Sequence, residues 1–146
     1  MARDALGREF SQGRSLTSLE KQKWATPTYR SHLVVTCHRL RDVPVENLTI
    51  EELRMLIGQN IGLTWLAPLA MAKLEENPFL CGDFYPGDLL KSVLSADLEF
   101  YQKLPVMAER ARQLHALAKS RLDALDDLGR ATIEAVVRET QDRHGI

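Results

Sequence analysis

The sequence has little of what usually marks an extracellular, metal-binding or membrane protein. Only two cysteines, Cys37 and Cys81, occur in 146 residues, and they form no CxxC or Cys/His ligand spacing. We therefore expect neither a disulfide framework nor a zinc site. No stretch approaches the roughly 20 uninterrupted apolar residues of a membrane span, and the N-terminus has no apolar signal core. These absences predict a cytoplasmic protein that makes no membrane contact.

An excess of charge of one sign is also lacking. The formal net charge is -1, with 27% charged residues, which is typical of neither a nucleic-acid binder nor an acidic tail. The distribution is nevertheless uneven. Residues 1–30 carry six Lys/Arg against three Asp/Glu, whereas residues 75–99 carry six Asp/Glu against a single lysine. We expect a basic N-terminal end and an acidic middle.

Catalytic motifs are absent as well: the chain contains no GxGxxG, GxxxxGK[ST], HExxH or GxSxG string. Cys37 and His38 are neighbours, but on a helix their side chains point about 100° apart, so they do not form a nucleophile and base pair. We predict that the protein is not an enzyme and needs no cofactor.

Paired acids are the remaining candidates for a chemical site. Asp83 and Asp88 flank an FYPG turn, and Glu75 and Glu76 precede it. Two nearby carboxylates can bind a divalent ion or act as acid and base. A helix N-terminus accounts for Asp88, however, and a solvated helix end accounts for the two glutamates. We therefore predict no metal site.

A long apolar stretch from residue 53 to residue 94 is predicted to form the core. Between Ile61 and Leu74 the only charged residue is Lys73, and a helix that is hydrophobic all round must be buried among other helices. Glycine and interior proline weaken helices, so we expect a kink or break near residues 58–62 and a second helix that runs to about Glu76.

The flanking segments show helical spacing and helix start signals. Thr49 and Glu52 match a capping box, as do Thr17 and Glu20, and no segment has a period of two. Residues 31–41, 97–103 and 105–143 fit further helices, with one helix or two left open for the last. The prediction is an all-α, single-domain bundle of about seven or eight helices of unequal length. We expect a flexible arm or short loose helix at residues 1–14 and a single helical domain at residues 15–146.

A helix-turn-helix regulator is the competing interpretation. Thr49 to Met71 has a capped helix, a glycine turn and a second helix in the right order. The second helix would read TWLAPLAMAK, which offers a DNA groove one lysine and an interior proline. Recognition helices need polar and basic side chains at base edges, so the core interpretation is favoured and no direct nucleic-acid binding is expected.

Three strings resemble small immunity proteins of bacterial contact-dependent growth inhibition (CDI) systems: LRMLIGQNIGL at residues 53–63, LEENP at residues 74–78 and GDFYPGDLL at residues 82–90. The likeness covers residues 24–96, and GDFYPGDLL is its most specific part. It implies a helical cytoplasmic protein that binds the toxic C-terminal domain of its cognate effector, one to one, and blocks its active site. The toxin is expected to be a nuclease, with an RNase favoured.

The contact residues do not follow from this resemblance, because immunity proteins differ most where they meet their own toxin. Nuclease active sites are basic, and a blocker gains association rate and specificity by presenting carboxylates to them. For any single acid, ordinary surface solvation is the competing interpretation, so only clusters carry weight. The predicted toxin-binding residues are the acids Glu75, Glu76, Asp83, Asp97 and Glu99, the second acidic group Asp123, Asp126 and Asp127, and the aromatic anchors Tyr85 and Tyr101.

Overall fold

The computed structural model describes residues 2–28 and 31–144, apart from the side chains of residues 142 and 144. Within these residues it contains eight α-helices and one antiparallel pair of short strands, which confirms the all-α prediction and its number of helices. The strands are β1 (Ala2–Arg3) and β2 (Glu9–Phe10). The helices are α1 (Leu16–Glu20), α2 (His32–Leu40), α3 (Ile50–Gly58), α4 (Leu63–Glu76), α5 (Asp88–Leu94), α6 (Leu98–Lys103), α7 (Pro105–Ser120) and α8 (Asp127–Thr140), with 3-10 turns at Val45–Asn47, Leu122–Ala124 and Gln141–His144.

Helix α4 lies in the centre of the core, as its composition predicted. It packs against α3, α5 and α7, and α3 packs extensively against α5. Most of the apolar side chains of α4 are therefore buried, although Trp65 and Leu69 are half-buried and Ala72 is exposed. The buried residues of α4 are Leu63, Leu66, Ala67, Pro68, Ala70, Met71 and Leu74.

The start of α3 and the break after it are both where they were predicted. The Thr49 hydroxyl accepts a hydrogen bond from the Glu52 amide at 3.1 Å, and the Glu52 carboxylate accepts one from the Thr49 amide at 2.9 Å. This reciprocal pair satisfies two of the amides that a helix start leaves free. Helix α3 ends at Gly58 and α4 begins at Leu63, so the chain turns between the two glycines.

The N-terminal segment forms a hairpin, so the expectation of a short loose helix is wrong. Strand β1 pairs with β2, and the Asp4 carboxylate closes the turn between them by accepting the amides of Leu6 and Arg8, both at 2.9 Å. Burial alone raises the pKa of Asp4, but these bonds and the Arg8 guanidinium outweigh it and hold the pKa below its ordinary value. Flexibility of residues 1–14 stays a prediction.

This hairpin docks on α4 at its interior proline. Pro68 has no N–H, so the carbonyl of Thr64, four residues earlier, has no donor within the helix. The amide of Ala5 donates to that carbonyl at 2.7 Å. The proline therefore leaves an acceptor on α4, and the hairpin satisfies it.

Residues 15–28 are tied to α2 by a buried arginine. Helix α1 is capped by Ser15 instead of the predicted Thr17. The Thr17 hydroxyl donates to the Asp42 carboxylate at 2.8 Å. Buried Arg41 pairs with the Glu20 carboxylate, and its guanidinium lies 4.1 Å from the centre of the Trp24 ring. The segment thereby packs on the end of α2.

The C-terminal segment forms two helices, which answers the question left open for residues 105–143. Helix α7 ends at Ser120, and α8 begins after Asp126, whose carboxylate accepts the Gly129 amide at 2.7 Å. The two helices pack together, and the Nε2 atom of buried His115 lies 3.0 Å from the carbonyl of Val137. This arrangement holds the start of α8 beside the loop that precedes α5.

Candidate functional site

The most specific string of the sequence forms a loop that two carboxylates hold in place. The Gly82 and Phe84 amides donate to Asp88, at 2.7 and 3.1 Å, and the Asp83 amide donates to Glu51 at 3.0 Å. Asp88 is the buried first residue of α5 and Glu51 lies in the first turn of α3. We refer to residues 81–87 as the carboxylate-held loop.

Arg54 completes this arrangement from one turn further along α3. Its guanidinium donates to the Glu51 carboxylate at 2.6 and 2.5 Å, lies 4.0 Å from the Asp88 carboxylate and stacks on the Phe84 ring at 4.5 Å. The pKa of Glu51 lies below its ordinary value, chiefly because of the hydrogen bonds from Arg54. Partial burial raises this pKa, but the hydrogen bond from the Asp83 amide lowers it further. Glu51 is thus a fixed negative acceptor at neutral pH.

The loop exposes an aromatic ridge. The Phe84 side chain is 68% exposed, and Tyr85 beside it is half-buried. Partial burial raises the pKa of the Tyr85 hydroxyl, and the carboxylates of Asp88 and Glu139 raise it further. The hydroxyl therefore remains a protonated donor at neutral pH, next to a large apolar side chain that the fold leaves in solvent.

The start of α8 lies against the other side of this ridge. Tyr85 and Pro86 share a cleft of about 350 Å³ with the turn before α8 and its first helical residues. Leu128, at the rim, is 77% exposed. We refer to this cavity as the loop–α8 cleft; its lining residues are Tyr85, Pro86, Ala124, Leu125, Asp126, Leu128, Gly129 and Thr132.

Among the residues that the structure describes, some of the predicted toxin-binding acids have a hydrogen-bond or ion-pair partner, and others have none. Glu75 pairs with Arg110, and Glu99 pairs with Lys103 at 2.7 Å. Asp97 caps α6 by accepting the Glu99 amide at 3.1 Å, as Asp126 caps α8. Within the described ranges, the remaining carboxylates have no hydrogen-bond or ion-pair partner; they are Glu76, Asp83, Asp123 and Asp127.

The loop–α8 cleft brings members of two predicted groups together. Tyr85 was predicted as an aromatic anchor and Asp126 as a member of the second acidic group, and both line the same cavity. Asp123 and Asp127 are exposed on either side of Asp126. In contrast, Glu75 lies beside α7, where Arg110 compensates its charge.

Tyr101 does not contribute to the surface, so its place among the predicted anchors needs correction. Its side chain is 3% exposed, and its hydroxyl donates to the carbonyl of Val93 in α5. Burial strongly raises the pKa of that hydroxyl. The helical spacing of α6 directs this ring inward, where it packs edge-on against Phe100 with ring centres 5.3 Å apart.

Two features of the site were not predicted. Leu128 was assigned no role. It directly follows the acids at the start of a helix and lies outside the apolar stripe of Ile133 and Val136, and this pattern indicates an exposed apolar residue. Glu51 and Arg54 were assigned only to a helix. Their contacts with the loop join positions about thirty residues apart, which a local pattern does not show.

A second, larger cleft lies between the hairpin, α4 and α7. Its volume is about 510 Å³, and Trp65, Leu69 and the 68% exposed Val106 contribute to its apolar lining. We refer to it as the hairpin cleft. Three of its charged lining residues are in ion pairs, Arg3 with Glu9, Asp4 with Arg8 and Arg110 with Glu75. The Glu46 carboxylate accepts the Gly13 amide.

The structure also describes the residues of three alternative sites: a DNA-recognition helix, the neighbouring Cys37 and His38, and a metal site. Helix α4, the candidate recognition helix, is buried in the core and cannot enter a DNA groove. His38 Nε2 lies 3.2 and 3.0 Å from the carbonyls of Trp24 and Ala25, and burial raises the pKa of the Cys37 thiol. In the part of the chain that the structure describes, no three His, Cys, Asp or Glu residues are grouped to hold a metal ion.

The chain matches a known protein family. A family model described as CDI immunity proteins matches residues 18–111, a range that includes the end of α1, helices α2 to α6, the carboxylate-held loop and the first part of α7. A search of curated proteins finds no match. Among residues 2–28 and 31–144, no helix combines the length and hydrophobicity that crossing a membrane requires.

Proposed function

The chain belongs to the CDI immunity proteins, a family that neutralises toxins of contact-dependent growth inhibition, and we propose that it does so by covering the active site of a nuclease. The proposed mode of action is tight one-to-one binding to the C-terminal toxin domain of the cognate effector, without turnover. Substrate is then excluded from the active site for as long as the complex lasts.

The observation that carries the nuclease proposal is a set of exposed carboxylates that form no ion pair with the described part of the chain. Asp83, Asp123 and Asp127 are exposed and have no ion pair among the described residues, although the whole chain is nearly neutral. A site that holds phosphate groups is basic, so a surface with uncompensated carboxylates attracts it and speeds its association. Among nucleases we favour an RNase, and a degradation assay decides between RNase and DNase.

Calorimetry with the toxin tests the binding part of this proposal. The probe is a catalytically inactive form of the C-terminal domain encoded just upstream of this chain's gene. We expect one-to-one binding with a dissociation constant in the nanomolar range, on the order of 12 kcal/mol of binding free energy. Absence of binding at micromolar concentrations would overturn the pairing of this chain with that toxin.

A degradation assay tests the nuclease and active-site parts. Active toxin is incubated with labelled RNA or duplex DNA, with and without one equivalent of the immunity protein. We expect RNA cleavage that stops at a ratio of one to one, and a complex that no longer binds a non-cleavable RNA oligonucleotide. Cleavage of DNA alone would replace RNase with DNase, whereas a complex that still binds the oligonucleotide would rule out coverage of the active site.

A further inference from the structure

We infer that the toxin docks on the surface formed by the carboxylate-held loop and the start of α8, and that the loop–α8 cleft receives a lysine or arginine side chain from the toxin's phosphate-binding site. This inference rests on the proposed function and specifies its contact surface. The apolar centre of the surface is Phe84, Tyr85 and Leu128, and its acidic residues are Asp83, Asp123, Asp126 and Asp127.

The apolar centre is the first argument. Phe84 and Leu128 are 68% and 77% exposed. Half-buried Tyr85 joins them, because it lines the loop–α8 cleft with Leu128 and a neighbouring cavity on the α3 side with Phe84 and Arg54. Protein interfaces place aromatic and large apolar side chains at the centre and polar residues around them, and a few central residues supply most of the binding energy. This surface has that arrangement before any partner binds.

The chemistry of the cleft selects the occupant. Tyr85, Pro86 and Leu125 supply an apolar wall, and Asp126 supplies a carboxylate at the same cavity. Lysine and arginine combine an apolar stem with a charged head, so their stems pack on such walls while the heads reach a carboxylate. A cation of this kind is what a nuclease uses to hold phosphate, so burying it here removes it from RNA.

The partial positive charge at the N-terminus of α8 opposes the binding of a cation in the cleft only weakly. A helix N-terminus carries about half a positive charge, which disfavours a cation near Gly129. Residues 121–130 carry three aspartates, Asp123, Asp126 and Asp127, against two arginines, Arg121 and Arg130, so the formal net charge of this segment is -1. The carboxylates therefore determine the sign of the local potential, and a cation is attracted.

The hairpin cleft is larger but less suited to the same partner. Arg3, Asp4 and Arg110 of its lining are already in ion pairs, and Glu46 alone of its charged lining residues has no ion pair among the residues that the structure describes, so it offers a basic surface less net attraction. The loop–α8 surface has uncompensated carboxylates and, in addition, a loop that three amide-to-carboxylate hydrogen bonds hold in shape. A preformed surface loses less conformational entropy on binding.

Two matched aliphatic substitutions distinguish the clefts. Leu128→Ala removes the exposed leucine of the loop–α8 cleft, and Val106→Ala removes the exposed valine of the hairpin cleft. Because both residues are more than two-thirds exposed, neither change should unfold the protein. In surface plasmon resonance with the inactive toxin domain, we expect Leu128→Ala to raise Kd about tenfold or more and Val106→Ala to leave it within about twofold. The reverse order would transfer the docking surface to the hairpin cleft.

Charge variants test the acidic part of the surface. Asp127→Lys should slow association about tenfold at low salt and much less at high salt, because screening weakens long-range attraction. Glu109→Lys is the control, since Glu109 is exposed on α7 and pairs with Arg112 at 2.6 Å. Circular dichroism verifies that both variants fold. Equal association rates for the two would remove the start of α8 from the docking surface.

A double-mutant cycle identifies the occupant of the cleft. Asp126→Asn removes the charge but keeps the helix cap, since asparagine caps as well as aspartate. It is combined with alanine replacements of each lysine and arginine of the toxin domain. We expect one of these toxin cations to couple with Asp126 by about fivefold or more in Kd, and its own replacement to impair cleavage.

The outcomes separate the two proposals. If the unchanged protein inhibits the toxin while Leu128→Ala, Asp127→Lys and Asp126→Asn leave Kd and the association rate intact, the docking surface is wrong and the proposed function stands. If the unchanged protein fails to bind the toxin domain, the proposed function itself fails. If the surface variants weaken binding but no toxin cation couples to Asp126, the insertion of a cation into the cleft is overturned.

Discussion

Gly87 lies where the carboxylate-held loop enters α5, with a φ of +95° that L side chains rarely adopt. A Cβ placed there would come 2.2 Å from the Cδ1 atom of Ile133, a fully buried residue of α8. The absence of a side chain therefore allows both the backbone conformation and the close approach of α8 to the loop. The shape of the loop–α8 cleft depends on this one position.

Gly87→Ala is expected to destabilise the fold by about 2 to 4 kcal/mol, about 1 to 2 from the left-handed backbone and the rest from displacing Ile133. Gly7→Ala is the matched control, because Gly7 also has a positive φ of +79° but nothing lies within 4 Å of its Cβ position. Urea unfolding of both variants measures the difference. Equal losses for the two would show that Ile133 moves aside without cost.

Asp88 shows where residue-level inference from sequence fails. A turn followed by an acid predicted a charge that favours a helix N-terminus, and Asp88 does lie in the first turn of α5. Its carboxylate, however, accepts the amides of Gly82 and Phe84 in the preceding loop. Residue type and spacing indicate that a carboxylate is near free amides, but only the path of the loop determines which amides those are.

At the scale of elements, α3 supports the loop through Glu51. We expect Glu51→Gln to cost about 1 to 2 kcal/mol of stability, because it removes the charge from the bonds to Arg54 and Asp83. The amides of residues 82–84 should also exchange hydrogen faster, and toxin binding should weaken a few-fold as the loop loses order. Glu52→Gln on the same helix is the control, since glutamine preserves the capping box. Unchanged exchange at residues 82–84 would contradict the supporting role.

The pH dependence of this support follows from the lowered pKa of Glu51. A carboxyl whose pKa is lower in the folded than in the unfolded state stabilises the fold fully above its ordinary value of 4.5, and this contribution is lost as the pH falls through the folded value. The free energy of unfolding should therefore fall more steeply below pH 4.5 in the unchanged protein than in Glu51→Gln. Parallel pH profiles would contradict this account.

The elements that sequence patterns predicted are those with local determinants. The Thr49 cap, the break between α3 and α4 and the start of α6 at Asp97 depend on neighbours within a few residues, and all are where they were expected. The hairpin was missed because strands of two residues are too short to show a period of two. The loop–α8 cleft was missed because it joins segments about forty residues apart.

At the scale of the whole molecule, the segment outside the family match is tied into the same core. Ile133 and Val136 of α8 are buried with the residues of α3 to α5, and Arg143 donates to the carbonyls of Ser95 and Ala96 beyond α5. A core that several helices share unfolds as one unit. The boundary of the family match at residue 111 is therefore not a boundary of the fold.

Urea unfolding tests this by comparing two probes. Tryptophan fluorescence reports on Trp24 and Trp65, both within the matched range, whereas far-ultraviolet circular dichroism reports on all helices, including α8. We expect the two curves to coincide with a single midpoint. A circular dichroism midpoint at clearly lower urea than the fluorescence midpoint would show that the C-terminal helices form a separate unit.

The acceptor that Pro68 leaves on α4 has a consequence for the order of assembly during protein synthesis. The hairpin is synthesised before α4, and its docking partner, the carbonyl of Thr64, is made roughly sixty residues later. An α4 helix must then form before this carbonyl has its final position. The hairpin therefore docks only after the residues that follow it, as far as α4, have been made, because the acceptor it satisfies is the one that Pro68 leaves free.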